Sequence, residues 1–397
     1  ISGMAVIAGT IGESATIDSL IANGKITTTD ITGKWESYVI KVVNNPIASN
    51  SKISRALVIA GSDMRGTIYG IYKVSEAIGV SPWVWWADSY PVRSAKLTFE
   101  GTTNITQDEP DVKYRGIFLN DENPGLSPWV GEFFKEFKAL ERWGSSVGTA
   151  GYNHHFYVKV FELLLRLKGN YLWPAMWNNA FHMDDPLNGI LADQMGIVMG
   201  SSHHEHMDRA DKEWSWTGKG NTWTYNQTTG VVTKKSGVSG TATGDWDWSG
   251  NKQNIINYWR ASIIERADRE TIVTLGMRGQ EDTALIPNGT TEQNVATLGQ
   301  IIDEQVKIIE GTFGEEGAKE VPKTLILYKE VEEYYYGFQK TDAEVAARGF
   351  AAMQGLVVTD VGENKNIVSL DVPDHVTLML CDDNFGNVRT LDRKSVV

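Results

Sequence analysis

Carboxylates recur in this chain directly after short apolar runs. YRGIFLND ends at Asp121, GIVMGSSHHEHM carries Glu205, TIVTLGMRGQED reaches Asp282, TLILYKE ends at Glu330, and HVTLMLCDDN holds Asp382 and Asp383. Two carboxyl groups facing one hollow can do acid–base work. One protonates a leaving oxygen while the other activates water or attacks, the usual way in which a glycosidic bond is cut. The acid must keep its proton near working pH, which needs burial or a like-charged neighbour. Glu330 fits this best, because it directly ends the apolar TLILY run; a structural ion pair with Lys329 or Arg278 is its other use. Arg278 and Lys329 end neighbouring strands. In an acidic protein, two cations facing one pocket point to a substrate carboxylate, which an Arg fork holds bidentately, or to neutralisation of the acids around them.

Six of the seven histidines fall between His154 and His206. The run His203-His204-Glu205-His206 offers zinc-type ligands. Adjacent strand residues point to opposite faces, however, so His203 and His204 do not readily share a metal, and HExxH is absent. Hydrogen-bonding roles are the better reading, and no cofactor is implied. GxSxG is missing, which disfavours an α/β-hydrolase. The GTIG turn after the first strand lacks the spacing of a phosphate loop.

Elements that could position these groups are legible. Residues 1 to about 108 read as a small α/β domain: strands at MAVIAGT, SYVIKVV and RALVIAG, a helix through Ile17–Ile21, and a second helix with Ile68, Ile71, Tyr72, Val74 and Ile78 at helical spacing. SPWVWWADSY and the polar stretch after it mark a junction. Over 109–397 the pattern becomes strand–helix units with near-continuous apolar strands, the mark of a parallel sheet covered on both faces. Reactive residues spread over six strand ends predict a (β/α)8-type barrel, with about six of its eight units visible, rather than a doubly wound sheet with one switch point. An aromatic insertion between Trp214 and Trp248 is placed as a hairpin and a wall over the site, or as an excursion packed on its own Trp residues.

Composition bounds the partners. The chain of 397 residues is 41% hydrophobic and 22% charged, with net charge −13 and a pI near 5.1, which is no nucleic-acid binder. No apolar run is long enough to cross a bilayer. A lone cysteine, Cys381, excludes an intrachain disulfide. Fourteen Trp and fourteen Tyr, many beside polar residues, suit sugar rings as well as cores. Sequons at Asn104, Asn226 and Asn288 favour a secreted glycoprotein.

Taken in order, VIAGTIG, GKWESYVIKVV, ALVIAGSDMRGTIYGIY, SPWVWWAD, KYRGIFLNDE, VFELLLRLKGNYLWPAMW, GIVMGSSHHEHM, GDWDWSGNKQNI, TLGMRG, LYKEVEEYY and CDDNFGNVR resemble glycoside hydrolase family 115, the xylan α-glucuronidases. The resemblance implies an inverting hydrolase that removes (4-O-methyl)glucuronic acid α-1,2-linked to xylan. Its partners would be glucuronoxylan or aldouronic acids, and a homodimer is a permitted assembly. By motif, Glu330 resembles the general acid, and Asp121 and Asp282 resemble site carboxylates, either of which can activate water. Arg278 and Lys329 match positions near the uronic carboxylate, and His203 matches a pocket histidine. Asp382 and Asn384 match further site residues, with His155, Trp177 and Asn178 also at the pocket. The family often reads SHCEPM where this chain reads SHHEHM, and the segment from Glu330 to Asp382 is longer here.

Overall fold

The computed structural model describes residues 3–119, 121, 125–134, 151–177, 179–210, 213–214, 222–226, 231–235, 244–279, 283–382 and 385–387, the two short segments 222–226 and 231–235 as backbone only. There are two compact units: Ile1–Ile117 with Tyr157–Tyr171 and Gln194–Ile197, and Phe118–Phe156 with Leu172–Asp193 and Val198–Val397.

In the first unit the β-branched runs form strands β1 (Gly3–Thr10), β2 (Tyr38–Asn44) and β3 (Ile53–Gly61), as the sequence predicts. Helix α1 (Ala15–Ala22) is capped by Ser14 and α2 (Met64–Ala77) by Asp63, each side chain accepting from a backbone N–H of the first turn. The sheet order is β1-β3-β2-β4, with β1 and β3 parallel and the other pairs antiparallel. Strand β4 (Asn104–Gln107) escapes the sequence reading because NITQ is wholly exposed at an edge and carries no apolar alternation. Ile17, Leu20, Val43 and Val58 close the core, each fully buried aliphatic side chain contributing about 1.5–3 kcal/mol.

Polar groups are also sealed inside this unit, Glu36 foremost. The Glu36 side chain is fully buried, 2.7 Å from Arg65 Nε and 2.5 Å from Arg115 Nη2, and it accepts from Asn170 Nδ2 at 2.7 Å. Helix α2 reaches it closely because residue 66 is glycine. A Cβ there would stand 2.2 Å from the Ser37 carbonyl oxygen.

Among the described residues, the remaining strands form four small sheets. β5 (Gly116–Phe118), β6 (Tyr171–Trp173) and β7 (Val198–Met199) form one sheet; the predicted hairpin is β8 (Thr222–Asn226) with β9 (Val231–Lys235). β10 (Val273–Leu275) and β11 (Lys323–Leu327) run parallel, and a parallel bridge between Met199 and Thr271 joins β7 to the approach of β10. Helices α3 (Leu126–Phe133), α4 (His154–Arg166), α5 (Phe181–Asp184), α6 (Pro186–Met195), α7 (Trp248–Glu265), α8 (Thr291–Glu320) and α9 (Glu330–Tyr336) alternate with these strands. An unforeseen antiparallel sheet then follows: β12 (Phe338–Lys340), α10 (Asp342–Arg348), β13 (Leu356–Gly362) and β14 (Lys365–Leu370), in the order β12-β14-β13. The last strand, β15 (Thr377–Leu380), returns parallel to β11.

The architecture is therefore mixed α/β with several small sheets, and a closed eight-stranded wall is not drawn among the described residues. Trp259, Ile301, Ile302, Leu325 and Leu327 lie at the centre of the second unit's core, between α7, α8 and the β10–β11 pair. No helix among the described residues is long and apolar enough to cross a membrane.

Candidate active site

Two strand ends in the second unit carry the principal charges. After β10 the backbone at Gly276, in the left-handed region at φ 114°, is gripped by the buried Gln305 of α8. Its amide oxygen accepts from Gly276 N and its Nε2 donates to Gly276 O, both at 2.7 Å. Arg278 follows two residues later, only 4% exposed, with its carbonyl accepting from Trp246 Nε1 at 2.8 Å. After β11, Tyr328 and Lys329 lead into α9, which begins with Glu330. Lys329 is held at φ 52° and ψ −131°, a conformation that side chains rarely adopt and that costs about 1–3 kcal/mol unless its surroundings fix it. Such strain collects where a backbone must aim a side chain.

Arg278 Nη2 stands 3.2 Å from Glu330 Oε1, and the Glu330 side chain keeps 23% of its surface open. The pair thus joins a buried cation to a carboxylate that solvent or a ligand can reach. Tyr334, one turn along α9, has its hydroxyl pushed up to about 12, mainly by burial and then by the charge of Glu330. The Arg278–Glu330 bridge is the ion pair that the sequence also allows for Glu330, and it leaves part of the carboxylate exposed.

An aromatic chain runs on from this pair. Tyr328 packs on His203 with ring centres 4.9 Å apart; His203 lies 4.4 Å from His204, and His204 lies 5.8 Å from Trp177. His206 is buried beside Gly276. Burial, followed by the charges of His203, His204 and Arg278, holds its imidazole well below the usual range, so it stays neutral. Among the described residues no group of three or more His, Cys, Asp or Glu side chains is placed to hold a metal ion.

Asp121 lies at the end of β5, 3% exposed. Its Oδ1 accepts from Met176 N at 2.9 Å and from Trp177 N at 3.0 Å, and its Oδ2 accepts from Asn179 Nδ2 at 2.6 Å. Asp382, after β15, is exposed. His155 is exposed in the first turn of α4, its ring 4.0 Å from that of His154, which bonds Asp185 at 2.6 Å. Burial and the neighbouring His154 lower the His155 value. Asp282, Asn178 and Asn384 lie outside the described residues. Tyr328, Asn179 and Gln305 join the arrangement without having been picked out, and His204, from the histidine run, joins it through ring contacts. Tyr328 and Asn179 adjoin residues that were picked out, in LYKE and WNN.

The Trp-rich insertion divides. Trp246 supports Arg278, while Trp214, Tyr258 and Trp259 pack around it with ring centres 4.9, 6.4 and 6.0 Å away. Among the described residues, Trp214 and Trp248 at its two ends are buried in the core.

A separate cavity of about 220 Å³ opens at the opposite ends of β10 and β11, beside Pro322, Phe313, Arg266, Arg269 and Asp208. This cavity lies at the strand ends away from Arg278 and Glu330. Burial pushes the Asp208 carboxyl up to about 6, against the pull of Arg266 and of the Thr271 hydroxyl. The unfolded chain, with an ordinary value of 3.8, releases this proton first. Stability from this group is therefore complete below about pH 4 and falls as pH rises through about 6, by about 3 kcal/mol. Asn suits the left-handed backbone at φ 56° and can still bond Thr271. Asp208→Asn should flatten this fall, raising the urea midpoint at about pH 7.5 while leaving it near wild type at about pH 4. A variant with the wild-type pH dependence would refute the assignment.

The family model described as Glycosyl hydrolase family 115 matches residues 107–347. Among solved structures, the chain is similar over 97% of its length to a family GH115 4-O-methyl-α-glucuronidase, BtGH115A, with specificity for decorated arabinogalactans, at 30% identity and a TM-score of 0.68. The chain spans 40% of that protein's length. A further solved structure, CpGH84D, matches at 10% identity and a TM-score of 0.25 over 77% of this chain and 48% of its own, too little to carry an argument. No curated protein matches the chain.

Proposed function

Since this chain belongs to glycosyl hydrolase family 115, we propose that it serves the release of (4-O-methyl)glucuronic acid, α-1,2-linked, from xylan or xylooligosaccharides, with inversion at the sugar carbon. The observation that carries this reading is the buried Arg278 beside the accessible Glu330. A guanidinium fixed in place offers a fork for the uronate, and a carboxyl group beside it is within reach of the glycosidic oxygen. Glu330 gives its proton to that oxygen as the bond from the sugar carbon breaks. Water forms the new bond from the opposite face and yields its proton to a second carboxylate, Asp121 or Asp282. Lys329, His203 and Trp177 complete the sugar pocket in this reading, with Asp382 and His155 at its border and Asn178 and Asn384 as further contacts.

The strands β5, β6, β7, β10, β11 and β15 then serve as staves of a (β/α)8-type barrel, supported by their chain-order pairing. Secretion, with glycans on the exposed Asn104 and Asn288, belongs to the same reading.

A second substrate has an observation of its own, because the similar solved enzyme is specific for decorated arabinogalactans. Offering the protein glucuronic-acid-decorated xylooligosaccharides and decorated arabinogalactan side by side, and quantifying free uronic acid, decides between them. Release from xylan fragments supports the proposal, and release from arabinogalactan alone transfers it to that polymer. Binding without any release makes the chain a carbohydrate-binding relative.

A further inference from the structure

We propose that Asp121 is a positioning residue that shapes the turn bearing Trp177, and that it does not activate water; the inference rests on the proposed glycosidase reading. A base must present a free lone pair to water within hydrogen-bond reach. A carboxylate has about four such sites, and three of those on Asp121 are occupied by N–H donors from Met176, Trp177 and Asn179. The group is 3% exposed. Its own carbonyl is held as well, accepting from Ser127 Oγ at 2.8 Å.

This clamp has a direction. Two of the donors are consecutive backbone amides, so the carboxylate fixes the peptide planes on either side of Met176 and thereby the exit of the Trp177 side chain. Ser202, from the segment after β7, donates to Met176 Sδ at 2.7 Å and so holds the same residue by its side chain. The Trp177 ring then meets His204, the first link of the aromatic chain that leads to Tyr328 and the Arg278–Glu330 pair.

The contact between Asp121 Oδ2 and Asn179 Nδ2 at 2.6 Å makes the proposal testable by exchange. In Asp121→Asn the retained oxygen can still accept from the two backbone amides, but the new NH2 faces the NH2 of Asn179. Asn179→Asp alone sets two carboxylates against each other. With both changes the donor and acceptor trade places and the bond re-forms. Kinetics on a uronic-acid-decorated xylooligosaccharide should therefore show each single variant with KM raised about tenfold or more, and the double variant within about threefold of wild type in both KM and kcat. The ascending limb of the kcat–pH profile should survive in the double variant. A base would behave differently, with kcat falling about 10²–10⁴-fold in Asp121→Asn and no recovery in the double variant. That result would overturn the proposal.

A second readout is independent of turnover. The Trp177 indole N–H signal, assigned in a ¹⁵N spectrum by Trp177→Phe, should move in Asp121→Asn and return in the double variant. An unmoved signal would also sink the idea. If wild type releases no uronic acid but the indole signal follows the exchange, the clamp stands and only the glycosidase reading falls.

Discussion

Glu330→Gln lowers the release of uronic acid by about a thousandfold or more while leaving the fold intact, within the span of about 10²–10⁴-fold for losing a general acid. The amide is the same size as the carboxyl, and its oxygen can still accept from Arg278, 3.2 Å away in the wild type. What it cannot do is deliver a proton to the departing oxygen. The signature separating this from a binding defect is the leaving group. An aryl glucuronide whose phenol leaves as a stable anion needs little protonation, so the variant should recover much of its rate on that substrate and almost none on xylooligosaccharides. Equal losses on both would mean that Glu330 only steadies Arg278. Full activity on both would end the assignment.

Glu36→Gln destabilises the first unit by about 3–5 kcal/mol, the usual cost of removing one member of a buried ion pair. Glu36 is fully enclosed and meets Arg65 and Arg115 together, with Asn170 donating a third contact. Gln can accept from one of these, but it leaves the charges of two guanidinium groups unbalanced in a site that water enters poorly. Urea titration should show the midpoint falling with an unchanged slope. An unfolding free energy within about 0.5 kcal/mol of wild type, the ordinary range for an inconsequential surface change, would contradict it.

The strand ends were legible because a buried parallel strand must be apolar while the residue that follows faces a new environment. TLILYKE and TIVTLGMR both show that switch, and the structure brings Glu330 and Arg278 together from them. Spacing along the chain is blind to the Asp121–Asn179 bond, which closes over 58 residues, so Asp121 read as one more strand-end carboxylate. The sheet of β12, β13 and β14 was hidden for another reason. Phe338–Lys340 is only three residues long, and β13 leaves much of its length partly open, so neither has an apolar period that stands out. Within the HHEH run, His206 is a buried imidazole held well below its usual range, while His203 and His204 are in ring contact with each other.

The grip of Gln305 on Gly276 has a consequence for how this protein can change. At that point the strand takes both of its backbone partners from a helix side chain, so the sheet's pattern stops there by substitution and not by fraying. Residues beyond it, Arg278 among them, are released from strand pairing and answer to local neighbours such as Trp246 and Glu330. On the proposed reading, new preferences for charged sugars can therefore be acquired in that short stretch while the frame behind it is left unaltered.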